Sequence, residues 1–143
     1  MDLILQNADF SETGIAVPTA VVLNAGTKAN VATGVISQDE NRTLSDLVPV
    51  TKKFAKLYTG NNTSCQFLFW NGDTYLGVGS NTEDGIYGSF SLHTPSLEVD
   101  VTSFSHYDSN GGTFNVANAT HYRTLIHKHY DSSLAMEVNT TEI

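Results

Sequence analysis

Ser64-Cys65-Gln66-Phe67-Leu68-Phe69-Trp70-Asn71-Gly72-Asp73-Thr74-Tyr75-Leu76-Gly77-Val78 is the stretch whose reading decides the fold. Two apolar, aromatic-rich runs flank Asn71-Gly72. That dipeptide suits a two-residue type I′ turn, in which both central residues need positive φ. The pattern predicts a β-hairpin with Trp70 facing Asp73, Phe69 facing Thr74, Leu68 facing Tyr75, Phe67 facing Leu76 and Cys65 facing Val78. Side chains alternate across a strand. Cys65, Phe67, Phe69, Thr74, Leu76 and Val78 therefore share one face, expected to be core. Gln66, Leu68, Trp70, Asp73, Tyr75 and Gly77 share a mixed face that carries the only Trp of the chain.

Outward from this hairpin, the chain reads as further short strands. Before it, Leu3-Ile4-Leu5 predicts a first strand and Ile15 to Leu23 a second, interrupted by Pro18. Asn24-Ala25-Gly26-Thr27 reads as a loop, Ala29 to Ile36 as a strand, and Ser37 to Arg42 as a polar turn. Leu44 to Val50 and Phe54 to Tyr58 read as strands, the latter closed by Thr59-Gly60-Asn61-Asn62. After the hairpin, Gly79 to Gly85 reads as a loop and Ile86 to Leu92 as a strand. Leu97 to Phe104 alternates cleanly, the signature of a half-buried antiparallel strand. Asp108 to Gly112 is a strong turn signal. Phe114 with Val116, His121 to Tyr130, and Leu134 to Val138 complete the strands, and Asn139 to Ile143 reads as a tail.

About ten short strands with recurrent turn signals and no convincing helix predict an all-β chain, an antiparallel β-sandwich of jelly-roll-like type. The 143 residues are expected to form a single domain, residues 1–143. Charged residues make up 15% of the chain, below the usual share of about 25%, with Gly, Asn, Ser and Thr in their place, which suits a turn-rich β protein.

A net charge of −8 repels nucleic acid and anionic membrane, so neither is an expected partner. No segment approaches the roughly 20 apolar residues of a membrane helix. The opening Met1-Asp2-Leu3-Ile4-Leu5-Gln6 is too short and acidic for a signal peptide. Asn-x-Ser/Thr triplets at Asn41, Asn61, Asn62, Asn118 and Asn139 are then expected by chance in an Asn- and Thr-rich chain. The single cysteine, Cys65, is placed on the hairpin's core face, as a small buried hydrophobe.

No catalytic motif stands out, and the expectation is a non-enzyme with no cofactor and no resident metal. His121, Arg123, His127 and His129 share parity on one predicted strand face. Two imidazoles there would suit a metal, but no third ligand is identifiable, since Asp131 has the right parity but lies at the strand end; a solvated strand face is the plainer account. Asp39, Glu40, Asp73, Glu83, Asp84, Asp108 and Asp131 fall in predicted turns. A carboxylate pair among them would suit glycoside hydrolysis, and Asp73 with Asp84 would suit Ca²⁺, but turn residues of this kind are commonly only turn residues. Among the aromatics, Tyr87, Phe104, Tyr107, Tyr122 and Tyr130 included, Trp70 and Tyr75 are diagonal neighbours on the hairpin's mixed face. With Asp73 they form the candidate glycan-binding set, with a packed face or a subunit interface as the plain alternative.

Leu44-Ser45-Asp46-Leu47-Val48-Pro49-Val50, Leu57-Tyr58-Thr59-Gly60 and the Phe67 to Val78 hairpin, with the opening Leu3 to Ser11, resemble a jelly-roll module of phage and prophage virion proteins, especially those of Bacteroides-type hosts. The likeness covers about a third of the chain, and its motifs are structural. It implies a β-sandwich similar to carbohydrate-binding modules, and it carries over no catalytic residue. Longer members carry a coiled-coil stalk, for which no extension is expected here. The expected role is therefore a non-enzymatic virion structural protein: a head-decoration, fibre or fibre-anchoring component, made in the host cytoplasm and located in the virion. Its expected partners are other virion proteins and further copies of itself. The alternative is a glycan-binding module that recognises a bacterial host surface polysaccharide through exposed aromatics.

Overall fold

The computed structural model describes residues 18–80, 90–92, 95–103, 105–108 and 112–139. The strand read at Leu3 to Leu5, the turn after it, residues 15–17 of the Ile15 to Leu23 run, residues 81–89 and the tail beyond Asn139 lie outside them, as do Tyr87 and Phe104.

The described residues form two antiparallel sheets, so the expected all-β sandwich is the observed one. The smaller sheet runs β1 (Thr19–Ala20), β12 (Ala135–Val138), β5 (Phe54–Tyr58) and β9 (Ser96–Asp100). The larger runs β10 (Ser105–Tyr107), β7 (Thr74–Ser80), β6 (Thr63–Asn71), β11 (His121–Ile126), β3 (Ile36–Ser45) and β2 (Leu23–Ala29). Short β4 (Val48–Pro49) adds to β11, and β8 (Phe90–Leu92) adds to β6.

Between the sheets lies the main core. The larger sheet contributes Cys65, Phe67 and Phe69 from β6, Phe90 and Leu92 from β8, and Tyr122 and Ile126 from β11. Ala55 and Leu57 of β5 and Met136 and Val138 of β12 face them. Phe67 meets the Phe90 and Tyr122 rings edge-on at 5.3 and 6.3 Å, and Phe69 meets the Tyr122 ring at 5.9 Å. Burying each such side chain contributes roughly 1.5–3 kcal/mol. The Tyr122 hydroxyl escapes an unpaired fate by donating to the Lys52 carbonyl at 2.8 Å.

The hairpin turns one residue later than the sequence suggests. Asn71 pairs with Thr74, which leaves Gly72 and Asp73 as the central pair. Of these only Gly72 has positive φ (57°), the φ pattern of a type II′ turn, where Gly leads. A bulge then shifts the register: Trp70 pairs with Tyr75, but Phe69 pairs with Gly77 and Leu68 with Val78. The extra residue inverts β7. Val78 therefore leaves the Phe67 face and packs with Leu68 and Trp70, while Leu76 stays against the main core. Gly77 is required at this place. Its φ is 146°, and a Cβ there would lie 2.0 Å from the Tyr107 carbonyl oxygen.

Residues 24–42 invert the sequence reading. Asn24 to Thr27, read as a loop, belong to β2, and Ser37 to Arg42, read as a turn, belong to β3. The expected strand at Ala29 to Ile36 is instead mostly the connection between them. Thr27, Lys28 and Ala29 pair with Gln38, Ser37 and Ile36, while Leu23, Asn24 and Ala25 pair with Ser45, Leu44 and Thr43. Gly26 on β2 and residues 39–42 on β3 are left between the two ladders. Of residues 24–42 only Ala29 is fully buried and the rest are half-buried or exposed, so little of a core face imposes alternation on their sequence. Further on, the long strand expected at His121 to Tyr130 ends at Ile126, and Val116 to Asn118 is a 3₁₀ turn capped by Asn115, not a strand.

Gly77→Ala is expected to destabilise by more than about 3 kcal/mol, combining a backbone region essentially reserved for glycine with a steric overlap. Gly26→Ala, where no atom lies within 4 Å of the added carbon, is expected to cost only about 1 kcal/mol, from its φ of 69°. Urea unfolding midpoints of the two variants check the contrast.

Candidate functional site: the outer face of the larger sheet

Both faces of β6 are buried. Residues Cys65 to Trp70 are enclosed without a break. The outer face carries Ser64, Gln66, Leu68 and Trp70, beside His121, Arg123 and Leu125 of β11. A second cluster covers it, formed by Ala29, Leu44, Leu68, Trp70, Val78 and Leu125 with Val31 and Tyr75 against them. The cover is the β2–β3 hairpin, whose tip folds across the sheet. Tyr75 latches it: the hydroxyl donates to the Val31 carbonyl at 2.6 Å. The Tyr75 ring lies so close to Gly34 that a Cβ there would sit 2.6 Å from it. Burial pushes the Tyr75 phenol well above its ordinary pKa, so it stays neutral as the donor.

This arrangement decides the fate of the candidate glycan set. Trp70 is only 9% exposed. The Tyr75 ring lies 5.0 Å from it and the Arg123 guanidinium 5.7 Å from its centroid. The two aromatics thus pack on each other beneath the hairpin and leave no open stacking platform. Asp73 is exposed at the turn. It borders a recess of about 190 Å³ with Trp70, Gly34, Ile36, Leu47 and Arg123. So Trp70 and Asp73 reach one recess, and Tyr75 serves as its support. Arg123 is held by donating to the Ser45 carbonyl at 2.9 Å, while its Nε is buried without a partner.

The three histidines do not converge. His121 Nδ1 contacts the Thr120 hydroxyl at 2.9 Å, and His129 Nδ1 donates to the Glu40 carbonyl at 2.6 Å. His127 lies between Ser64 Oγ and Gln66 Oε1, each at 2.8 Å. With Nε2–H donated to the Gln66 carbonyl oxygen, Nδ1 accepts from the Ser64 hydroxyl. Burial, and then the charge of Arg42, hold the His127 pKa below its usual value. Asp131 pairs with Lys128 at 2.9 Å. Among the described residues no three His, Cys, Asp or Glu side chains group to hold a metal. Asp84 and Glu83 lie outside those residues. Cys65 is fully buried, and burial pushes its thiol up to about 12, which makes it an inert hydrophobe.

Arg42, Lys28 and Gly34 escaped the sequence reading as site residues. Their place depends on the hairpin crossing the sheet, for which no local pattern exists. Arg123 was visible, on the same face as the histidines, but its contact with Trp70 follows only from the β6–β11 register, which sets His121 opposite Trp70.

A pH dependence follows from two histidines. His106, buried against Phe69 at 5.0 Å with Nε2–H near the Val101 carbonyl, has its pKa lowered chiefly by burial, as has His127. A lowered folded pKa means that the unfolded chain binds more protons below about pH 6.5. Stability is then full above that pH and falls as the pH drops through the folded values. Urea midpoints at pH 7.5 and 5.5 are expected to decrease on acidification, with a shallower decrease in His106→Phe. Tyr75→Phe is expected to cost about 1 kcal/mol, the worth of the lost hydrogen bond.

No protein-family model, curated protein or solved structure shows a significant match to this chain.

Proposed function

We propose that this chain is a non-enzymatic structural component of a bacteriophage virion, a jelly-roll-like decoration, fibre or fibre-anchoring protein that works through contacts with copies of itself and with other virion proteins. The virion assignment is supported by the resemblance of the Leu44 to Val50 and Phe67 to Val78 phrases. Its mode of action is supported by one observation, a stripe of exposed apolar side chains. Val22, Val35, Ile36 and Leu47 are 60%, 62%, 48% and 45% exposed. Leu47 joins Val22 to Ile36, bordering one recess with each, and Val35 precedes Ile36 in the chain. Single exposed apolar residues are ordinary, but a continuous stripe marks an interaction surface. A second copy is the proposed occupant, since like stripes facing each other remove apolar area from both at once.

The second reading is a glycan-binding module, favoured by the recess that brings Trp70, Asp73 and Arg123 together. Because Trp70 belongs to the outer cluster, its removal would unfold as well as disarm: truncating a buried aromatic costs about 3–5 kcal/mol. The discriminating substitution is Asp73→Asn, at an exposed turn position.

Light scattering over a range of concentrations is expected to report a dimer or a larger assembly built from it, and Val22→Asp with Leu47→Asp to give a folded monomer. A wild-type monomer at every concentration overturns self-assembly through the stripe. Retention on bacterial surface polysaccharide that disappears in Asp73→Asn would favour the second reading instead.

A further inference from the structure

Acidic residues outnumber Lys and Arg by 15 to 7 in this chain, yet one groove on the outer face reverses the balance. It lies between the tip of the β2–β3 hairpin and the sheet beneath, and has a volume of about 430 Å³. Lys28, Asn30, Arg42, His127 and Gln66 form its polar lining, with Val31 and Leu125 among its apolar wall, and among the described residues no carboxylate lines it. Lys28 has a weak pairing with Asp39 at 3.9 Å, between two partly exposed groups. Arg42 donates to the neighbouring Asn41 carbonyl at 3.0 Å and makes no ion pair with the described residues. Its charge is felt across the groove at His127.

We propose that this groove binds an anionic sugar, one bearing a carboxylate or a sulfate, with Arg42 and Lys28 holding the anion. The chemistry of the lining argues for that class. A guanidinium presents paired donors that match the oxygens of a carboxylate or sulfate. Val31 and Leu125 offer an apolar wall for one face of a pyranose ring. A groove of mixed apolar wall and few polar groups, at this volume, suits a small ligand. A short acidic sugar fits where a long polyanion does not. The chain's net charge repels a long phosphate backbone, whereas charges beyond about 10 Å are largely screened from one bound group. His127 accommodates the ligand in either protonation state, because the Ser64 hydroxyl can rotate from donor to acceptor at Nδ1. The site is separate from the Trp70 recess and goes beyond the self-assembly reading.

The test follows the His127 ring resonances by NMR while the full chain is titrated with galacturonic acid oligomers, galactose 6-sulfate or neutral galactose oligomers. A saturable shift with an acidic sugar and none with the neutral oligomer is expected, and whichever acid responds names the anion. Arg42→Gln is expected to weaken binding about tenfold or more, and Lys56→Gln, on the smaller sheet, to leave it unchanged. Lys28→Gln provides the same test should Arg42→Gln fail to fold, as judged by circular dichroism. Absence of a saturable shift at millimolar sugar, an equal response to the neutral oligomer, or wild-type affinity in a folded Arg42→Gln would overturn the proposal. Light scattering on the same samples keeps this outcome separate from the oligomeric state.

Discussion

The enclosure of β6 on both faces is the constraint on which the rest of this structure depends. An antiparallel sheet commonly packs one face and leaves the other to water. Here Cys65 to Trp70 are buried without interruption, so two separate covers are required. The smaller sheet supplies one, over Phe67 and Phe69. The β2–β3 hairpin supplies the other, over Leu68 and Trp70. Even the polar member of the run obeys, since Gln66 is buried and its side-chain oxygen accepts from His127.

That second cover needs a bend and a latch. The bend is placed where Gly26 stands opposite the four-residue excursion of β3, a glycine with positive φ against a stretch freed from pairing. The latch is Tyr75, which the turn at Gly72-Asp73 sets opposite Trp70 and whose hydroxyl reaches Val31 at the hairpin tip. The inserted residue beyond that pair then sends Val78 to the outer cluster. The same geometry creates open ground on both flanks of the hairpin tip: the Trp70 and Asp73 recess on one, the Arg42 and Lys28 groove on the other.

The aromatics that suggested sugar stacking prove to be structural. Trp70 and Tyr75 spend their ring faces on each other, on Arg123 and on the hairpin. What faces solvent is the aliphatic stripe of Val22, Val35, Ile36 and Leu47, together with a few charged groups. What this surface offers a partner is apolar contact and placed charges rather than an aromatic platform.

The sequence by itself determined the fold class, the strands from Phe54 to Val78 and the core identity of Cys65, Phe67 and Phe69. Those elements carry dense apolar alternation, and alternation is enforced wherever a face is buried. It also placed the last strand correctly and put Leu97, Val99 and Val101 on one inward face, against the core. The hairpin register, the strand pattern over residues 24–42 and the end of β11 at Ile126 were decided by tertiary structure. A hairpin with a single fully buried residue between Asn24 and Arg42 has little of a core face to impose a period, and a bulge costs one residue that no periodicity announces. The candidate site belongs to the same category. Arg42 and His127 lie 85 residues apart in sequence and meet only because the hairpin folds across a sheet already assembled.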